Sequence, residues 1–165
     1  WKVTLVDTGQ QSLTGARLNA VREYVKDAPF LLTYGDGVSN IDVDSLVESH
    51  NKAGKLVTVT AVKPPGRFGR LKIDKDEHVV GFNEKPDGDG SWINGGFFII
   101  EPEALKYVDS TNLSWESLPI MNIVQDNQLH AYKHNDFWHP LDTLRDKEQL
   151  NKLWADNEAP WKSWV

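Results

Sequence analysis

Two aspartates, Asp36 and Asp142, lie far apart in the chain yet occupy similar settings. Asp36 ends the apolar run FLLTYGDGV (30–38) inside a Gly-Asp-Gly triplet. Asp142 follows Trp-His-Pro in FWHPLDTLRD (137–146), at the mouth of a helical segment. Two carboxylates delivered to such turns can converge on one Mg²⁺, an ion usually held by one or two carboxylates together with substrate phosphates. In open α/β sheets ligands gather beyond the carboxyl ends of the strands. Asp36 falls at such an end, and Gly35 and Gly37 leave room beside it for a phosphate or ribose. Asp-Gly is also a common turn pair, so Asp36 alone does not separate a metal ligand from a turn.

Four further segments carry chemistry. In GFNEKPDGDG (81–90) a strand end delivers Glu84 and Lys85 side by side, stopped by Pro86. A carboxylate accepts hydrogen bonds from two sugar hydroxyls, and an ammonium is a compact charge suited to a phosphate. A solvated Glu-Lys pair at an edge strand is the plain alternative. WINGGFFII (92–100) sets Asn94 and Gly95 inside a strand, where glycine marks close approach of a ligand or backbone, or a bulge. KPPGRFGRL (63–71) frames Arg67-Phe68 between Gly66 and Gly69, as an active-site rim or a turn. TGQQSLTGARL (8–18) leads small and hydroxyl residues into a helix, whose N-terminus favours phosphate. It is neither a Walker loop nor G-x-G-x-x-G, and capping explains Thr14 equally well.

The elements that must position these residues alternate. Periodicity predicts a short strand over 3–6, a helix over 13–26, a buried strand over 30–34 and a helix over 43–53 closed by Gly54. A Val/Thr-alternating strand follows over 56–62, then a hairpin of 71–73 with 79–82 turned by DKDEH, and a strand over 92–100. Helices over 102–108 and 115–127, a strand over 129–133 and a helix over 143–155 complete the pattern. Strand–helix–strand order implies right-handed crossovers and a mainly parallel sheet, and the hairpin adds antiparallel pairing. The expected fold is an α/β sandwich with a mixed sheet.

Bulk properties narrow the class. The 165 residues suit one domain, 39% are hydrophobic and 25% charged, which argues against disorder. A net charge of −6 gives no electrostatic reason for a nucleic-acid partner. With no cysteine, disulfide and thiolate chemistry are excluded, and the five His are scattered without zinc spacing. No apolar run approaches membrane-spanning length, so the cytoplasm is the expected compartment.

In this order, VDTGQQSLTGARL, FLLTYGDGV, PPGRFGRL, FNEKP, INGGFF, WHPLDTLRD and the tail APWKSWV resemble the sugar-nucleotide pyrophosphorylases, a nucleotidyltransferase family, most of all its cytidylyltransferase branch. The resemblance runs over nearly the whole chain. It implies a Rossmann-like nucleotidyltransferase fold and the joining of a nucleoside triphosphate to a sugar 1-phosphate with release of pyrophosphate. The implied partners are CTP and glucose 1-phosphate, the product CDP-glucose, and the context polysaccharide (O-antigen) biosynthesis. By the same resemblance Ser12, Arg17 and Gly35 contact the nucleotide, and Asp36 and Asp142 hold Mg²⁺. Glu84 and Lys85 bind sugar and phosphate, with Lys85, Asp36 and Asp142 as the catalytic set. Gly69, Asn94 and Gly95 line the sugar pocket.

The family's opening strand and Gly-rich loop of the type GGxGTR, with its following Lys, have no counterpart in this sequence. The resemblance therefore implies that the chain, which opens WKVTLVDTG, begins midway through the domain. The expectation is that it forms a partial domain over 1–165, lacks its first strands, and is inactive and self-associating by itself. A homo-oligomer, or the N-terminal part of the same enzyme, would complete it. Two other classes stay open. A glycosyltransferase would show D-x-D after a strand, and Asp42-Val43-Asp44 fits that pattern only at a helix start. A non-catalytic sugar-nucleotide-binding or assembly module is the other. Of seven Trp, Trp154, Trp161 and Trp164 crowd the tail, which packs on its own domain or on another subunit.

Overall fold

The strand predicted from Val/Thr alternation forms as β3 (Val57–Val62) and is buried on both faces, as a central strand must be. It belongs to a four-stranded sheet in the order β1-β6-β3-β7, with β1 Phe30–Thr33, β6 Ile93–Ile100 and β7 Leu129–Lys133. The molecule is a computed structural model that describes residues 1–64, 70–83, 91–109 and 112–163. Val57 N–H donates to Gln128 C=O and His134 N–H to Ala61 C=O, so β3 and β7 run parallel. Glu101 N–H donates to Leu56 C=O, while Gly95 lies against Thr60 and Val62, so β6 runs antiparallel to β3. The sheet is thus mixed. Two antiparallel ribbons accompany it: β2 (Gly37–Ser39) with β8 (Trp138–Pro140), and β4 (Arg70–Ile73) with β5 (Val79–Asn83).

Contacts group the described chain into two units. The first comprises Trp1–Leu32, Asp44–Val59 and Phe97–Tyr132; the second comprises Thr33–Val43, Thr60–Gly96 and Lys133–Val165. In the first unit, helix α3 (Val43–Ala53) buries Leu46 and His50 and ends before Gly54, which takes the left-handed φ of +58° that closes helices. His50 is 3% exposed; its Nδ1 lies 2.7 Å from Thr58 Oγ1 and its Nε2 3.2 Å from Glu101 Oε1, which pins the helix to β3. Phe98 meets Trp115 edge-on at 6.3 Å, and Ile100, Leu105 and Ile123 are sealed in the same unit. A 3-10 helix (Pro102–Tyr107) and α4 (Leu118–Gln125) follow β6. In the second unit, α5 (Leu144–Ala155) starts at a capping box: Thr143 Oγ1 accepts from Asp146 N–H, and Asp146 Oδ2 accepts from Thr143 N–H.

Several local expectations shift. The segment 3–6 forms no ladder among the described residues, and Leu5 is 92% exposed; an extended run without a partner is not a strand. The helix expected over 13–26 divides into α1 (Thr14–Ala20) and α2 (Arg22–Val25). Leu13, not Thr14, is its N-cap residue, because Thr14 Oγ1 donates to Glu116 and accepts from Trp115 N–H instead. β1 alternates half-buried and exposed residues rather than being buried throughout, since it sits at the end of the sheet order. The hairpin forms where expected, with Leu71 opposite Phe82, and both of these apolar side chains stand in solvent at 51% and 60% exposure. No helix among the described residues is long and apolar enough to cross a membrane.

Candidate functional site

Asp36 and Asp142 sit at one end of a ribbon that the sequence does not announce. β2 and β8 pair antiparallel with Gly37 opposite Pro140, Val38 opposite His139 and Ser39 opposite Trp138. One step further, Leu141 N–H donates to the Asp36 carbonyl oxygen at 2.7 Å. Asp142 is the next residue, so the two aspartates emerge at the same end of one ribbon. Both are exposed. Gly35, beside Asp36, has no atom within 4 Å of where a Cβ would stand, so the turn leaves open space there. Two carboxylates at one solvent-facing ribbon end suit a hard divalent cation that completes its shell with phosphate and water. Among the described residues no group of three or more His, Asp or Glu could cage a metal, so such an ion would depend on its substrate for ligands.

The Asn-Gly-Gly segment of β6 is in the same unit, and its glycines have a packing cause. A Cβ on Gly95 would stand 2.8 Å from Val62 Cγ1 and 3.0 Å from Thr60 O. Gly96 has φ +79°, and a Cβ there would stand 2.9 Å from the Tyr34 ring. The close approach inferred from sequence is therefore met by the protein itself at both positions. Asn94 Oδ1 accepts from Gly96 N–H at 2.9 Å, and its Nδ2 donates to Tyr34 Oη at 3.3 Å, on an exposed surface. Trp138 Nε1 donates to Gly95 C=O at 2.8 Å and so ties β8 to this segment. That bond was missed from sequence because it joins residues 43 apart.

Ser12 and Arg17 lie in the first unit, in and just after the 8–13 turn. Ser12 Oγ donates to Thr8 C=O; Arg17 Nη1 donates to Thr8 Oγ1 at 2.7 Å and Nη2 to Gln10 C=O at 3.4 Å. Both side chains brace the turn, and Arg17 remains exposed. Gly69, Glu84 and Lys85, with Gly66, Arg67 and Phe68, lie outside the described residues. Asp42-Val43-Asp44 straddles the start of α3, where the sequence places a helix start. In the tail, Trp161 packs on Phe137 with ring centroids 5.4 Å apart, and Lys162 lies over Trp154; Trp164 is outside the described residues.

A cavity of about 410 Å³ in the second unit has walls from Lys63, the 134–139 segment and Gln149. None of Asp36, Asp142, Asn94 or Gly95 lines it.

Known proteins share this chain's sequence and fold. A nucleotidyl transferase family model matches residues 5–156. Glucose-1-phosphate cytidylyltransferase of Salmonella typhi is 50% identical over 99% of this chain and 64% of its own length. Probable glucose-1-phosphate cytidylyltransferase of Bacillus subtilis is 37% identical over the same shares. The chain thus spans 64% of the length of these relatives. A crystal structure of a putative glucose-1-phosphate thymidylyltransferase from Bacillus anthracis, in complex with sucrose, superposes with a TM-score of 0.63 at 16% identity. It covers 90% of this chain and 63% of that one, and at that identity it speaks for the fold alone. With the family match running almost from end to end, the chain belongs to the nucleotidyl transferase family.

Proposed function

We propose that the protein of which this chain is part transfers a cytidylyl group from CTP to glucose 1-phosphate, giving CDP-glucose and pyrophosphate. CDP-glucose would then feed polysaccharide assembly, in the cytoplasm. The observation that carries this reading is the 50% identity, over 99% of the chain, to the Salmonella glucose-1-phosphate cytidylyltransferase. The pairing of Asp36 and Asp142 on one ribbon supports it from the structure. The continuous family match also supports treating residues 1–165 as one partial nucleotidyltransferase domain.

In this reaction a sugar-1-phosphate oxygen attacks the α-phosphorus of CTP and pyrophosphate leaves in line, so the protein's task is positioning and charge stabilisation. Asp36 and Asp142 would hold Mg²⁺, which when bound neutralises phosphate charge. Lys85 would fix the sugar phosphate, Glu84 the sugar hydroxyls, and Asn94, Gly95 and Gly69 the pocket around the ring. Ser12, Arg17 and Gly35 would face the nucleotide. No covalent intermediate is called for, consistent with a sequence that offers no Cys nucleophile.

The sequence holds no Gly-rich triphosphate loop. The β- and γ-phosphates of the leaving group therefore need donors from elsewhere, in a longer chain or a partner copy. The experiment is to assay purified 1–165 with CTP, glucose 1-phosphate and Mg²⁺, with and without the N-terminal piece of a cytidylyltransferase relative. Pyrophosphate release that depends on the added piece is expected. Robust release from 1–165 alone would require a different triphosphate site, and no CDP-glucose under either condition would refute the substrate assignment.

A further inference from the structure

The turn that carries Ser12 is gripped from across the first unit by one side chain, Asn112. Asn112 Oδ1 accepts Leu13 N–H at 2.7 Å, and its Nδ2 donates to Gln11 C=O at 3.1 Å. The two backbone partners fix which end of the amide is oxygen, because a backbone N–H only donates and a carbonyl only accepts. The amide therefore bonds the residues on either side of Ser12, as the peptide group of a neighbouring strand would. Ser12 itself is bound back into the turn: its N–H donates to Gly9 C=O at 3.3 Å and its Oγ to Thr8 C=O. Arg17 holds the same turn from the helix side, through Thr8 Oγ1 and Gln10 C=O.

The segment that bears Asn112 is a firm base. Trp115 is 1% exposed and meets Phe98 edge-on, and Ser117 closes the next turn by donating to Ser114 C=O from both N–H, at 3.1 Å, and Oγ, at 2.6 Å. Gly15 N–H donates to Leu113 C=O at 3.0 Å, and a Cβ on Gly15 would stand 2.6 Å from that oxygen, so the two segments are in direct contact. Trp115 N–H donates to Thr14 Oγ1 at 2.8 Å. These bonds fix the start of α1 to the core, and Asn112 extends that hold past the helix start into the exposed turn, where Gly9 takes a φ of +85°. A segment already held in its binding shape spares the ligand the cost of ordering it.

We propose that Asn112 is a positioning residue for the nucleotide: by bridging Gln11 and Leu13 it holds the turn on which Ser12 and Arg17 converge in the shape that meets CTP. The proposal rests on the reading above in which Ser12 and Arg17 face the nucleotide.

The test compares Asn112→Ala, Asn112→Asp, Ser12→Ala and the Asn112→Ala, Ser12→Ala double variant, assayed with the N-terminal piece present. Asn112→Ala should raise KM for CTP about three- to tenfold, the scale of one neutral hydrogen bond, and leave KM for glucose 1-phosphate unchanged. Asn112→Asp keeps the acceptor for Leu13 N–H but sets a carboxylate against the Gln11 carbonyl, and should raise KM for CTP as well. The double variant should fall short of the product of the two single effects, because both act through one turn. Amide hydrogen exchange gives a readout without turnover. In Asn112→Ala the Leu13 amide should exchange faster, the Gly15 amide, bonded to the Leu113 backbone, should keep its rate, and CTP should slow Leu13 again. Equal rises in both KM values, or a faster Gly15 amide, would mark Asn112 as structural and overturn the proposal. So would an unchanged KM for CTP in both Asn112 variants while Ser12→Ala raises it, a result that leaves the nucleotide reading standing. Ser12→Ala and Arg17→Ala both without effect on KM for CTP would instead refute that reading and the proposal with it, as would Leu13 exchange that ignores CTP in the unaltered protein.

Discussion

The carbonyl oxygen of Asp36 accepts the amide hydrogen of Leu141 at 2.7 Å, one residue before Asp142. This backbone bond extends the β2–β8 register and carries both carboxylates to one ribbon end. Under the proposed function, and assayed with the N-terminal piece present, Asp36→Asn or Asp142→Asn should lower kcat by orders of magnitude and leave the far-UV spectrum unchanged, because both side chains are exposed. Near-normal Mg²⁺-dependent turnover in either variant would remove that aspartate from the metal site.

Under the proposed function, Lys85 would hold the sugar phosphate. Lys85→Ala should raise KM for glucose 1-phosphate far more than for CTP, since it deletes a charge aimed at one substrate. Loss of a charged hydrogen bond is worth roughly 1.5–3 kcal/mol. Steady-state kinetics with each substrate varied in turn will decide; equal effects on both would make Lys85 structural.

At Gly95 the obstacle to a side chain is Val62 Cγ1 at 2.8 Å and the Thr60 backbone oxygen at 3.0 Å, between adjacent strands. Gly95→Ala should destabilise the protein by about 1–3 kcal/mol, the range for overpacking. Gly96→Ala adds a strained φ of +79° to a clash with Tyr34 and should cost a similar amount. Chemical denaturation measures both; a neutral Gly95→Ala would mean that the β6–β3 spacing yields easily.

Asp136 should contribute to acid sensitivity. The Asn40 side chain, then the Phe137 N–H, then the charge of His134 hold its carboxyl below the usual 3.8. A group whose folded pKa is depressed adds stability above its unfolded pKa, and that contribution disappears as pH falls through the folded value. Asp136→Asn should therefore flatten the fall in melting temperature below about pH 4 and leave the slope near neutrality unchanged. An unchanged acid limb would show that Asp136 is equally acidic in the unfolded chain.

Arg22 donates from Nη2 to Leu105 O at 2.7 Å and to Val108 O at 2.6 Å, and from Nε to Asn19 Oδ1. It ties α2 to the 3-10 helix. Arg22→Ala should lower stability by a few kcal/mol, at roughly 1.5–3 per charged hydrogen bond lost, read as a shift in the denaturation midpoint. Arg22→Lys should rescue only part, since one ammonium cannot reproduce the fork.

Local pattern was enough for elements whose cause is local. α3 with Gly54 beyond its end, β3, β7, the charged turn of the β4–β5 hairpin and the span of α5 all follow from side-chain period and terminal residue chemistry. So does the placing of Asp36 in a turn and Asp142 just before a helix. Where a contact spans the chain, pattern is silent. The β2–β8 pairing joins two three-residue strands too short to carry a period, and it alone makes neighbours of Asp36 and Asp142. Thr14 looked like a cap but bonds Trp115 and Glu116, and the close approach expected at the glycines of β6, of a ligand or of another backbone, is made by Val62, Thr60 and Tyr34. Residue types fixed which chemistry was available. Long-range backbone pairing, which depends on loop closure and not on local propensity, decided which of those residues came together.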